Sequence, residues 1–375
     1  MKSLDDKTKR LIMVFGGFII FLILIIVIVS IIGNLKGSSL SYTEIENKLV
    51  EGAKNYYSSN SGALPLNDAD QVEISSTLLA EEGYIKELSK YQKDKSVSCT
   101  GRVIVTKSGD NYNYSPLLDC GDKYTTTYLY EKLLENVVSK DDGLYKTTEY
   151  SDKTGTKNVY VYRGDYVDNF IKLDEHLWRI VKINDDFSIM IIEEEFNNET
   201  SYRGAWDDRY NKDKNTNNGI NDYYKSIIRR NILNYYDNYF SDNLKSKVVL
   251  KDICVGLITE NTLKGNGKAV CSKTLNTDYA SLLTVYDFMN ASLDTNCKKT
   301  TDYSCSNYNY LTDYDRSFWL LNADSEKSWK GFKYSSAITS SNLSTTSSAR
   351  VVINLNKNLI YSGGNGTYEN PYIIK

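Results

Sequence analysis

The chain has 375 residues, with 45 basic and 48 acidic side chains and a single histidine. Setting aside the five basic and two acidic residues of 1–36 leaves 40 against 46, a mildly acidic remainder near −6. That sign excludes a nucleic-acid partner, because phosphate neutralisation needs a basic face. The length leaves room for two domains, each with a core of its own.

Residues 1–10 are a short charged tail, expected to be cytoplasmic, and Leu11–Leu35 follows without one charged residue. An apolar run of roughly 20 residues matches a ~30 Å hydrocarbon core, so Leu11–Leu35 (residues 11–35) is expected to be a transmembrane signal anchor in the lipid bilayer. Lys2, Lys7, Lys9 and Arg10 precede it, and only Lys36 follows closely. The bias of basic residues toward the cytoplasm then implies a cell-membrane protein crossing once, with everything after the span extracellular. A cleaved signal peptide is the competing reading; against it stand the length of the run and the poor fit of Ser30–Gly33 to a small-x-small site.

Residues 36–139 read as a small α+β domain. Ser41 and Glu44 fit a capping box. Tyr42, Ile45, Leu49, Ala53 and Tyr56 then recur at helical spacing until the polar stretch 58–62 and Pro65 end the helix. A second short helix is predicted from Ser75 or Ser76 to Gly83. The period changes to two in Arg102–Thr106, and a turn at Ser108–Asn111 followed by Tyr112–Tyr114 predicts a hairpin. Thr126–Ser139 is predicted helical through Leu129, Leu133 and Val137, and the polar, aperiodic stretch 140–157 reads as a linker.

Within 158–375 short strand signals dominate: Val159–Arg163, Leu177–Ile183, Phe187–Glu193, Val351–Leu355 and Leu359–Tyr361. Asp222–Tyr239 predicts a helix with Tyr224, Ile228, Leu233 and Tyr236 near one face, and Tyr279–Asn290 predicts another. Few helices among many short strands mean an α+β fold. The Ser/Thr-rich run Ser335–Ser348 predicts a long surface loop.

All six cysteines lie beyond residue 36. An even number suits disulfides in an oxidising compartment, and pairing nearest neighbours, Cys99 with Cys120, Cys254 with Cys271 and Cys297 with Cys305, closes short loops. A zinc site is the alternative, but the chain has no C-x-x-C and one histidine, His176.

A hydrolytic triad needs a base, usually histidine, and His176 stands alone beside a predicted strand, with no G-x-S-x-G or H-E-x-x-H in the chain. No catalytic residue, metal ligand or cofactor is expected. The stretch 213–219 starts like a calcium loop, yet Asn218 and Tyr224 stand where glycine and a bidentate acid are required. The candidate binding residues are Trp206, Asp207, Asp208, Trp329 and Tyr334, since carboxylate pairs beside aromatic rings resemble carbohydrate sites. Trp178 and Trp319, flanked by apolar residues, are expected in the core.

The membrane run, the amphipathic helix after it, the Gly83-Tyr84 turn and the cystine-framed hairpin resemble the architecture of type IV pilins and pseudopilins over about 11–125. Tyr162-Arg-Gly164, Leu177-Trp-Arg-Ile-Val181, Phe318-Trp-Leu-Leu321, Arg350-Val-Val-Ile-Asn-Leu355 and Gly363-Gly-Asn-Gly-Thr367 resemble, as an ordered set, an uncharacterised family of bacterial surface domains. That family is distantly similar to the C-type-lectin-like fold of formylglycine-generating enzymes. The resemblances imply a pilin-like domain followed by a C-type-lectin-like domain. The expected function is a membrane-anchored, non-catalytic binding or adhesion protein for a glycan or surface protein. The alternatives are a minor pilin-like filament subunit and an enzyme of the formylglycine-generating type.

Overall fold

The computed structural model of the protein describes residues 39–194, 203–312 and 316–375. The expected span Leu11–Leu35 lies outside them. Among the described residues no helix is long and apolar enough to cross a membrane, so the structure does not support an N-terminal transmembrane helix, nor the single-pass placement drawn from it. The fold class is corrected accordingly to α+β, mostly sheet, with six α-helices among the described residues.

The described residues form two compact units. The first gathers the described part of Met1–Tyr56 with Ile74–Arg102 and Leu117–Thr125. Its main helix, α1 (Tyr42–Ser59), starts as its sequence requires: Glu44 accepts from the Ser41 amide at 2.7 Å, and the Ser41 hydroxyl accepts from the Glu44 amide at 3.2 Å. Ile45, Leu49 and Ala53 are buried on one face. Helix α2 (Ser76–Glu81) is capped by Ser75, whose side chain accepts from the Leu78 amide. Strands β1 (Gln71–Ser75), β2 (Thr100–Ser108) and β3 (Asn111–Asp119) form a sheet in that order, β2 and β3 being the predicted hairpin. Cys99 and Cys120 are joined by a disulfide.

The second unit holds Tyr57–Glu73, Val103–Pro116 and Thr126–Lys375. Helix α3 (Leu129–Leu134) is followed by β4 (Val137–Val138), where two β-branched residues end the predicted longer helix. The stretch expected as a linker instead carries most of a hairpin, β5 (Gly143–Ser151) against β6 (Gly155–Arg163). Its alternation is hidden because most residues of β5 are only half-buried polar ones. Gly155 at φ 74° makes the turn.

Strands β7 (Phe170–Leu173), β8 (His176–Ile183), β9 (Ile189–Glu193) and β10 (Arg203–Gly204) follow. Then come α4 (Ile227–Tyr239), capped by Ser226, and α5 (Asp242–Lys245). Strands β11 (Ile253–Cys254) and β12 (Thr274–Leu275) pair with each other. The predicted helix 279–290 begins as strand β13 (Ala280–Leu282); Thr284 then caps α6 (Val285–Asn290), its hydroxyl accepting from the Asp287 amide. The chain closes with β14 (Phe318–Ala323), β15 (Lys330–Ser335), β16 (Ala337–Asn342), β17 (Ser347–Ala349), β18 (Val351–Leu355), β19 (Tyr361–Gly363) and β20 (Ile373–Ile374). The Ser/Thr-rich run is therefore not a loop: β16 pairs with β15 along its length, and Ser347 is buried with its hydroxyl 2.9 Å from that of Ser317.

An eight-stranded sheet runs β13-β18-β9-β8-β6-β5-β4, with β7 on β8, and a five-stranded sheet runs β10-β17-β14-β15-β16. Trp178, Trp206, Trp319, Phe288, Phe318 and Tyr334 are the bulk of the core. Strand β8 is buried from Trp178 to Ile183, which suits a strand covered on both faces. It buries Arg179 and Lys182 as well, and a charge out of water needs a partner.

Candidate functional site

The partners of Lys182 come from two other elements. Its ammonium donates to both carboxylate oxygens of Glu149, on β5, at 2.8 Å, and to Asp287 Oδ1, on α6, at 2.8 Å. Side-chain exposure is 5% for Lys182, 4% for Asp287 and 13% for Glu149. Asp287 is oriented from behind by its own helix cap, because the Thr284 hydroxyl donates to Oδ2 at 2.6 Å. Burial pushes the Glu149 carboxyl up, against the pull of Lys182. Burial alone would lower Lys182, but the Asp287 and Glu149 carboxylates outweigh it and hold it above the usual lysine range.

This triad borders a cavity of ≈ 90 Å³. Ser151, Asn184, Thr274 and Ser281 line it with neutral polar groups, and Tyr150 and Leu282 give it an apolar wall. The charges at its margin are paired: Lys157 with Asp185 at 2.8 Å, Lys251 with Asp186 at 2.8 Å and Lys153 with Asp252 at 2.5 Å. Glu149 also lies near Cys254 and Cys271, the residue types of a metal site. Both sulfurs are spent in a disulfide, so neither is the thiolate that a metal would need.

A second buried cluster fastens β7, β8 and β18. Arg350 donates to Glu193 O at 2.9 Å, Leu311 O at 3.2 Å and Glu194 Oε2 at 3.1 Å. Arg179 reaches the same Glu194 at 3.7 Å and lies over the Phe170 ring at 4.0 Å. Burial pushes the Glu193 carboxyl up to about 7, although the Tyr235 hydroxyl, the Val351 amide and Arg350 all favour its charged form. The charged groups here are paired with one another, although the buried Arg179 Nε finds no acceptor among the described residues, and the arrangement is that of a structural fastener.

The residues singled out in the sequence lie elsewhere. Trp206 and Tyr334 are fully buried; the Trp206 indole donates to Leu320 O at 3.2 Å, and Tyr334 packs on Phe288 and Phe318 at 5.1 and 5.2 Å. Asp207 is also fully buried, accepting from Arg209 Nε at 2.9 Å and the Ile220 amide at 2.8 Å. Asp208 is exposed, and Trp329 is half-buried beneath Lys214 at 4.1 Å. Three of the five are thus consumed by packing. His176 is exposed at the start of β8. Nothing local in the sequence marks Glu149, Lys182 and Asp287, which are 33 and 105 residues apart from lysine to acid.

The three disulfides pair as nearest neighbours, Cys99–Cys120, Cys254–Cys271 and Cys297–Cys305, and no cysteine is free. Comparison with protein-family models, with characterised proteins and with solved structures finds no match to this chain.

Proposed function

We propose that the chain is a non-catalytic binding protein whose pocket beside Glu149 and Lys182 takes a hydroxyl-rich group, a sugar of a glycan before a patch of a surface protein. The composition of the pocket carries this reading. Its neutral polar groups, Ser151, Asn184, Thr274 and Ser281, offer donors and acceptors, Tyr150 and Leu282 offer an apolar wall, and the lysines and acids at its margin are paired one to one. Such a site favours a neutral, polar, partly apolar ligand over an ion. Three disulfides suit an oxidising compartment, where surface glycans are met. The resemblance of 158–375 to bacterial surface domains points the same way.

Two observations weigh against an enzyme at this position. The Lys182 ammonium fills the space between the Glu149 and Asp287 carboxylates, where a glycosidase would hold the reacting sugar. The late cysteines, Cys297 and Cys305, form a buried disulfide beside α6, a staple rather than a reactive pair.

The test is a glycan array probed with the full chain and with Ser151→Trp, which fills the pocket from a half-exposed position at the end of β5. Binding to a defined set of glycans, weakened at least about tenfold by the substitution, is the expected result. No glycan bound, or binding indifferent to Ser151→Trp, would overturn the reading.

A further inference from the structure

The Lys182 triad has a property that ligand binding does not use. One positive and two negative charges are held out of water, so pairing leaves an uncompensated negative charge in a buried place, an expensive arrangement. The amine and the Asp287 carboxyl are already in contact, with the carboxyl carbon one C–O bond beyond a 2.8 Å approach. Asp287 cannot swing away, because the Thr284 hydroxyl holds Oδ2 at 2.6 Å while accepting from the Asp287 amide at 3.0 Å. Groups fixed in this way react as if at very high concentration. Both oxygens of Glu149 touch the same nitrogen from β5.

We infer that Lys182 and Asp287 become joined by an intramolecular amide bond, with Glu149 as the proton carrier. The ammonium passes one proton to Glu149, which relays it to Asp287 Oδ1, leaving a neutral amine beside a neutral acid. Nζ then attacks Cγ, and the charge that develops on Oδ2 is met by the Thr284 hydroxyl. A second proton from nitrogen moves through Glu149 to Oδ1, the Cγ–Oδ1 bond breaks and water leaves. The amide nitrogen keeps the third hydrogen, Oδ2 becomes the amide oxygen and Glu149 ends as it began. The ammonium and carboxylate charges cancel, so no oxidant or other reactant is required. The raised Glu149 carboxyl suits a group that must hold a proton in passing, and the two carboxylates keep the exchanged proton within the triad. A neutral amide in place of an ion pair removes the desolvation cost of two charges.

The experiment is the intact mass of the full chain, reduced and denatured so that the cystines do not contribute, followed by proteolysis and peptide sequencing by fragmentation. The expected mass falls short of the sequence mass by one water, with the peptide bearing Lys182 joined to the peptide bearing Asp287. Glu149→Gln, close to isosteric, should keep the native disulfides and circular dichroism but show the full sequence mass, as should Lys182→Met. A native chain at full sequence mass after incubation at neutral pH overturns the inference, as does a water loss that maps to an aspartyl succinimide. A Glu149→Gln chain that still loses the water overturns the role given to Glu149. The readout needs no ligand, so it stands or falls separately from glycan binding.

Discussion

Two ends of one sheet face solve the same problem in opposite ways. The β5–β6 register sets Glu149 against Lys157 and Gly143 against Arg163, so Tyr145, Glu149 and Arg163 share a face. At one end, Glu149 meets a lysine that has two carboxylate partners. At the other, Arg163 donates to Asn290 Oδ1 at 2.5 Å and lies over Tyr145 at 5.3 Å, and its buried Nε has no acceptor among the described residues. Lys264 feels that cation, and burial together with the Arg163 charge lowers it to about 8. Until the amide forms, one end keeps its lysine charged by pairing it; the other pushes its lysine toward neutrality. A buried cation is thus governed by the signs of its neighbours more than by depth.

The contrast is broken most severely by Lys182→Met, which leaves Glu149 and Asp287 facing each other without a cation. Removing one partner of a buried pair costs about 3–5 kcal/mol, read as a lowered urea midpoint at pH 7. A loss no larger than that of an exposed substitution would mean that the triad is wetter than its burial implies. A pH series sharpens the other end. Because folding lowers Lys264 from 10.5 to about 8, the folded chain binds fewer protons than the unfolded chain between those values. The penalty is therefore full below about pH 8, and stability should rise as pH increases from there to about 10.5. Lys264→Met should abolish that rise in urea titrations, while the exposed Lys268→Met should retain it. At pH 7, where that penalty is full, Lys264→Met should stabilise the chain by no more than the rise just described, as the cost of burying the charge and its repulsion with Arg163 are removed. Clear destabilisation there would show that Lys264 has a favourable partner.

Features fixed by near neighbours were legible in the sequence. The Ser41–Glu44 capping box, the β2–β3 hairpin, the burial of Trp178 and Trp319 and the three short cystine loops all depend on residues close in the chain or on a flanking apolar run. Features that depend on what lies across the sheet were not. Hairpin β5–β6 resembles a linker because its outward residues are polar, and the run 335–348 resembles a loop because its strands are built largely from Ser and Thr, with Ser347 on β17 meeting the Ser317 hydroxyl where an apolar contact would be expected. The placement of the candidate ligand residues depends on the same long-range packing. Trp206, Asp207 and Tyr334 have the chemistry of a binding surface, but the interior takes them up, with Arg209 satisfying the acid. The triad joins β5, β8 and α6, an encounter that only the sheet order and the placement of α6 create.

The Lys182–Asp287 contact spans 105 residues of chain, and this bears on the protein as a mechanical object. If the chain is pulled from its two ends, a covalent tie at this point keeps the enclosed segment from running out. At full extension that segment would measure roughly 350 Å, length that would otherwise lengthen the tether and release its load. With the tie in place, pulling force passes from β8 straight to α6, and the strands between them need not unfold to carry it.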